Sequence, residues 1–188
     1  MRERLLEAGL SSIHRHGFNG CGVQEIVDLA GVPKGSFYNH FESKEALGAE
    51  VLDQFWHDHA RGLLRVLSDE SLPPIERLRR YFSAPAEKLA ALDYKGGCLL
   101  GNMAAELSDQ SKLIADRLSS IFARWTCAVA NCIRDGQSAG QVRTDIEAET
   151  LASFLLNALE GATLRARIEK DGRPLAQFID VALNHLII

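Results

Sequence analysis

Residues 23–41 constrain this chain most, because they set two short helical segments on either side of a glycine. Val23, Ile26, Val27 and Leu29 make an amphipathic turn and a half that ends at Ala30-Gly31. Pro33 then suits the first position of a new helix, where its missing N–H would have no partner and its φ is already helical. Phe37 and Phe41 are four residues apart and share a face. Lys34, Ser36, Tyr38, Asn39 and His40 fall on other faces, and Gly35 lets a partner's backbone approach closely. A helix this short is not stable alone, so a hydrophobic support must hold it while its polar side remains available. Helix, glycine turn and short second helix is the helix-turn-helix plan, in which the second helix lies in the major groove of DNA.

The rest of the chain reads as helical, so the expected fold class is all-α. Leu5, Leu6, Leu10 and Ile13 recur at helical spacing over residues 2–16 and stop at Gly17. Ser43 is a good N-cap for a long helix from Lys44 through Leu47, Val51, Phe55 and Leu63 to Leu67. Paired prolines at 73 and 74 open the next helix, with Pro85 expected to bend it. A turn at Lys95-Gly96-Gly97 precedes a short apolar helix from Cys98 to Leu107. Ser111 or Asp109 caps a long helix to about Ser138, and Gly140 ends it. A helix over residues 147–170 and a last one from Pro174 complete the chain.

Both final helices are apolar over most of their circumference. Leu151, Phe154, Leu155, Ala158 and Ala162 mark one; Phe178, Ala182, Leu183, Leu186 and Ile187 mark the other. A helix apolar nearly all round is buried on more than one side. In a chain of 188 residues, a second subunit is the expected cover, and a central core helix in a monomer is the alternative. A two-fold pair would set two recognition helices on successive major grooves of a palindrome.

Composition narrows the class. With 46% hydrophobic and 24% charged residues, the chain can build an ordinary globular core. No apolar run is long enough to span a bilayer, and no basic-then-apolar signal segment opens the sequence. A cytoplasmic location without membrane attachment is therefore expected. Cys21, Cys98, Cys127 and Cys132 form no C-x-x-C pair, so free thiols are expected rather than a disulfide framework or a zinc site. His57 and His59 flank Asp58, but histidines two apart on a helix point in different directions, so no metal is expected. No G-x-x-x-x-G-K, G-x-S-x-G or H-E-x-x-H pattern occurs, and neither an enzyme nor a cofactor is expected.

The ordered set Gly17-Phe18, Ile26, Ala30-Gly31-Val32, Lys34-Gly35-Ser36-Phe37-Tyr38, His40-Phe41 and Ser43-Lys44-Glu45 closely resembles the DNA-binding domain of TetR-family transcriptional repressors. The resemblance implies a three-helix DNA-binding domain at residues 1–47 and a helical effector-binding and dimerisation domain at residues 48–188. It also favours pairing through the two C-terminal helices. On this reading Lys34 meets a phosphate or a guanine edge, Tyr38 and His40 meet phosphates, and Ser36 and Asn39 lie nearest the bases. Lys44 holds a further phosphate. The partners are a palindromic double-stranded operator and a small-molecule or electrophilic effector. The net charge of −4 fits no broad basic field, and the basic arm common before the first helix in this family is almost absent. A few placed cations, helix N-termini and hydroxyls must then make the phosphate contacts. That charge also keeps open a dimeric small-molecule binder without DNA affinity.

For the effector, Trp56, Tyr94, Met103 and Trp125 either line a cavity or simply pack. Cys98, following two glycines at a helix start, occupies a place where a thiolate is favoured. The Gly-Cys-Leu segment, with Glu106 eight residues on, resembles the branch of the family that responds to reactive electrophiles and unsaturated small molecules. Arg165 and Arg167 are candidate cations for that thiolate, and the alternative is a buried structural cysteine. Cys127 and Cys132 read as core. Cys21 replaces a hydroxyl residue commoner in the family at the start of the second helix, which leaves a phosphate contact there unsupported.

Overall fold

The computed structural model describes residues 1–186, with the side chain of Leu186 left out. Among them the chain is helical and without strands. In order the helices are α1 (Arg2–His16), α2 (Val23–Ala30), α3 (Lys34–Tyr38), α4 (Lys44–Leu67), α5 (Pro74–Ala91), α6 (Leu99–Leu107), α7 (Lys112–Ser138), α8 (Ala148–Glu169) and α9 (Arg173–Val181). A wider π-type turn at Ala182–Leu186 follows α9. Ile187, expected in the last apolar run, lies outside the described residues.

The local signals act where the sequence places them. Ser43 Oγ accepts the Ala46 N–H at 3.1 Å, and Ser111 Oγ accepts that of Ile114 at 3.4 Å, so both serines cap the helices they precede. Gly31 closes α2 in the left-handed region (φ 63°, ψ 43°). Its N–H donates to the Asp28 carbonyl, and the Val32 N–H to that of Val27, the paired closure that favours glycine at this position. Pro33 stands one position earlier than expected. Its ψ of 145° makes it the extended residue before α3, so Lys34 is the first helical residue.

Two compact units organise these helices. The first comprises residues 1–58 and 99–121, and the second residues 59–98 and 122–188. The division falls inside α4, between Cys98 and Leu99, and inside α7. The core of the first unit contains Leu5, Ile13, Ile26, Val27, Phe37 and Phe41. In the second, Arg77 is a buried cation whose Nε donates to the Leu72 carbonyl at 2.9 Å. Its Nη1 meets the Leu67 carbonyl and Asp135, each at 3.4 Å. Its charge is thus shared among groups on α4, α7 and the loop before α5, as burial of a guanidinium requires.

Candidate DNA interface and effector site

Helix α3 is held by its aromatic face. Phe37 is fully buried, and its ring lies 5.6 Å from that of Phe41 and 5.2 Å from that of Tyr38. Burying Phe37 contributes about 1.5–3 kcal/mol, enough to hold a helix of five residues that would not form alone. The opposite side faces out. Lys34, Gly35, Tyr38, Asn39 and His40 are exposed and Ser36 is half-buried. Asn39 and His40 follow the last helical residue, so the donor surface runs from α3 into the turn beyond it. No atom lies within 4 Å of where a Gly35 side chain would start, which leaves the backbone there open.

Lys44 does not hold the position expected of it. Its Nζ donates to the carbonyls of Phe18 at 2.9 Å and Cys21 at 2.8 Å, and it lies 4.2 Å from the centre of the Phe18 ring. Two of its three N–H donors bind the α1–α2 loop from one side, so Lys44 is first a strut, with one donor left for a phosphate. Glu106, at the end of α6, binds the same loop. Its Oε2 accepts the Asn19 N–H at 2.8 Å and its Oε1 that of Phe18 at 3.3 Å. Sequence reasoning noted Glu106 only by its spacing from Cys98. Cys21 is buried, and burial raises its thiol pKa despite a hydrogen bond with Ser12; it faces the core and offers nothing to a phosphate.

The expected effector residues do not gather in one place. Trp56 and Met103 are buried in the first unit, while Tyr94, Cys98 and Trp125 belong to the second. Tyr94 adopts a positive φ of 56° in the turn after α5. Its carbonyl accepts Lys170 Nζ at 3.2 Å, so it belongs to a corner rather than to the surroundings of Trp125. Trp125 Nε1 instead donates to the Tyr81 hydroxyl. Its ring stacks on Phe122 and meets His59 edge-on at 5.2 Å. Burial holds the Tyr81 phenol far above its ordinary pKa, with the charges of Cys98 and Glu160 adding to that shift. Burial likewise lowers the pKa of His59 and raises that of Glu160, whose carboxyl is hydrogen-bonded to the Cys98 thiol. The group thus formed is Cys98, Glu160, Tyr81, Trp125 and His59. Glu160 was missed; the available signal was a carboxylate between Leu159 and Gly161 on a helix with few polar positions facing inward.

The candidate cations divide. Arg165 pairs with Glu169 on the surface and is not a partner of Cys98. Arg167 lies over Gly97, its Nε 3.0 Å from where a side chain there would begin. Cys132 is buried, and burial pushes its thiol up to about 11. Cys127, expected in the core, is exposed.

The interface residues also divide. Leu151, Leu155, Phe178, Ala182 and Leu183 are buried within the single chain, because α8 and α9 pack on each other and on α5, where Phe178 meets Phe82 at 5.6 Å. They are core, not a surface for a partner. Phe154, Leu164, Ile168 and Val181 are each more than half exposed, and Ala158 and Ala162 are half-buried.

Comparison with known proteins agrees along the whole chain. Residues 5–51 match the family described as bacterial regulatory proteins, tetR family, and residues 74–182 match the tetracyclin repressor-like C-terminal domain. The chain belongs to the TetR family of transcriptional regulators. It is 42% identical over 187 residues to the HTH-type transcriptional repressor DhaR of Mycobacterium sp. (strain GP1), covering 100% of this chain and 92% of that one. The transcriptional regulator AcuR of Cereibacter sphaeroides is 31% identical, with 98% of this chain and 84% of AcuR covered. The reduced form of Escherichia coli NemR superposes with a TM-score of 0.92 at 27% identity, over 100% of this chain and 96% of NemR. This TetR-family chain is thus a helix-turn-helix transcriptional repressor by kinship as well as by motif. No helix of the described residues is long and apolar enough to cross a membrane.

Proposed function

We propose that this chain is a cytoplasmic, homodimeric repressor that reads a palindromic operator through Lys34, Ser36, Tyr38, Asn39 and His40, and that a small molecule or thiol modification at Cys98 releases it. The carrying observation is the exposed donor surface on α3, held rigidly by Phe37 beneath it. Lys34 and the hydroxyl of Tyr38 supply phosphate contacts that fix register, while Ser36 and Asn39 read base edges. With one free cation on α3 and one remaining donor on Lys44, binding has a shallow salt dependence.

The exposed apolar residues Phe154, Leu164 and Ile168 on α8, with Val181 on α9, support pairing through these helices. Half-buried Cys98, linked to Glu160, supports an effector site in the second unit, and the kinship with NemR, whose compared structure is a reduced form, agrees with a thiol that responds. α4, the Cys98–Leu99 step and α7 each pass between the compact units. An effector needs only to spoil the spacing of the two recognition helices, roughly 34–36 Å for one DNA turn. It acts by its differential affinity for the two arrangements.

Fluorescence anisotropy with DNA from upstream of the chain's own gene tests this reading. Lys34→Ala with Tyr38→Ala abolishes specific binding, and electrophile treatment releases wild-type protein but not Cys98→Ser. Unchanged affinity in the double variant refutes the DNA assignment. Normal induction of Cys98→Ser moves the effector role to noncovalent binding.

A further inference from the structure

The Cys98 thiol has a carboxyl as a hydrogen-bond partner: that of Glu160, half-buried on α8. This is an unusual setting for a sulfur that reacts. Thiols that stand as thiolates are usually supported by cations or helix N-termini, whereas a carboxylate alongside disfavours a second negative charge. What the carboxylate can do is accept the thiol proton, because nucleophile and base are already within hydrogen-bond reach. The surroundings suit that task. Tyr81 on α5 is buried and donates no charge, its hydroxyl being joined to Trp125 of α7. His59 on α4 is largely buried, and burial favours its neutral form. Arg167 lies over Gly97, the residue before Cys98. Burial moves the Glu160 carboxyl upward from the ordinary carboxylate range, toward the working pH at which a base is most effective.

We propose that Glu160 is the general base for Cys98, taking its proton as the sulfur attacks an uncharged conjugated carbonyl compound. This rests on Cys98 being the point of effector attack. The sulfur forms a bond to the β-carbon and the C=C π pair moves to the α-carbon and carbonyl oxygen as an enolate. The thiol proton passes to the Glu160 carboxylate and then to the α-carbon. The product is a thioether, with nothing lost and no oxidant consumed. A carboxylate at this place also repels anions, so neutral electrophiles are preferred. The thiol stays protonated, and therefore quiet, until such a molecule is seated beside it.

Methyl vinyl ketone is the probe, with alkylation followed at each cysteine by mass spectrometry of digested full-length protein. Exposed Cys127 is the internal reference. Glu160→Gln, which keeps the shape and removes the base, slows alkylation of Cys98 by about 10²-fold and leaves Cys127 unchanged. Wild-type protein supplies a second measurement that needs no variant. At Cys98 the rate rises through the carboxyl's titration and then levels, while at Cys127 it climbs tenfold per pH unit toward the thiol's own pKa. An unchanged rate in Glu160→Gln, or parallel pH profiles at the two cysteines, overturns the assignment of Glu160 while leaving Cys98 as the sensor. Alkylation of Cys127 without any at Cys98 refutes the electrophile reading itself.

Discussion

Replacing Glu106 with alanine removes the carboxylate that accepts the Phe18 and Asn19 N–H groups from the end of α6. These are the two loop donors that follow Gly17, and Lys44 holds the carbonyls on the other side of the same loop. A hydrogen bond to a charged group contributes about 1.5–3 kcal/mol when well formed. Here the contact to Phe18 is long at 3.3 Å and that to Asn19 is exposed, so the pair together contributes roughly 2 kcal/mol after discounting for solvent. For a chain of this length that lowers Tm by roughly 4–8 °C, read by circular dichroism. The loop sets α1 against α2, so specific operator affinity falls as well.

A double-mutant cycle sharpens the test. Gly17 has a φ of 81°, and a side chain there would begin 2.6 Å from Glu106 Oε1. Gly17→Ala therefore strains both the backbone and the carboxylate, and removing Glu106 relieves the second part only. The double variant should be less destabilised than the sum of the singles. Strict additivity, or a Glu106→Ala protein that melts with the wild type and binds operator equally well, refutes the clamp.

The other expected outcomes follow from the same geometry. Tyr38→Phe, which removes one exposed hydroxyl, weakens operator binding by about 1 kcal/mol, or up to roughly 3 against a charged phosphate; titration by anisotropy reads it. Phe154→Glu or Ile168→Glu, at exposed positions, yields folded monomers by analytical ultracentrifugation. Leu155→Glu or Leu183→Glu instead unfolds the chain, because each would bury an unpaired carboxylate. Monomers from Leu155→Glu with an unchanged helical spectrum contradict this division. Glu160→Gln stabilises the fold in a pH-dependent way. Below about pH 4.3, the ordinary carboxyl pKa, the side chain is neutral in both states and the gain is small. Above it the unfolded chain ionises more readily than the folded one, whose carboxyl is raised by burial, so the gain grows with pH. Thermal melts of both proteins from acid to mildly alkaline pH show the trend or its absence.

The recognition segment was legible in the sequence because every signal for it is local. Gly31 supplies the left-handed closure of α2, Phe37 and Phe41 lie one helical turn apart, and Ser43 caps α4 through its own neighbours. Such features depend on bonds between residues a few positions apart, which spacing specifies directly.

What spacing does not specify is which neighbour covers each face. The apolar circumference of α8 correctly indicated burial on two sides, but only packing decided that Leu151 and Leu155 face their own chain while Phe154 and Ile168 face outward. Cys127 and Cys132 have similar apolar neighbours in sequence, yet one is exposed and the other buried. Trp56 and Met103 separate from Trp125 because the compact units divide α4 and α7. The clamp of Glu106 spans 87 residues to Asn19, and Glu160 reaches Cys98 from another helix. A single carboxylate carries no periodicity that could announce such a partner. The sequence thus determined the helices and the exposed reading surface, whose causes lie within a turn or two of chain. The tertiary structure decided the clamp, the thiol's partner and the outward face of α8, because each depends on residues that only folding brings together.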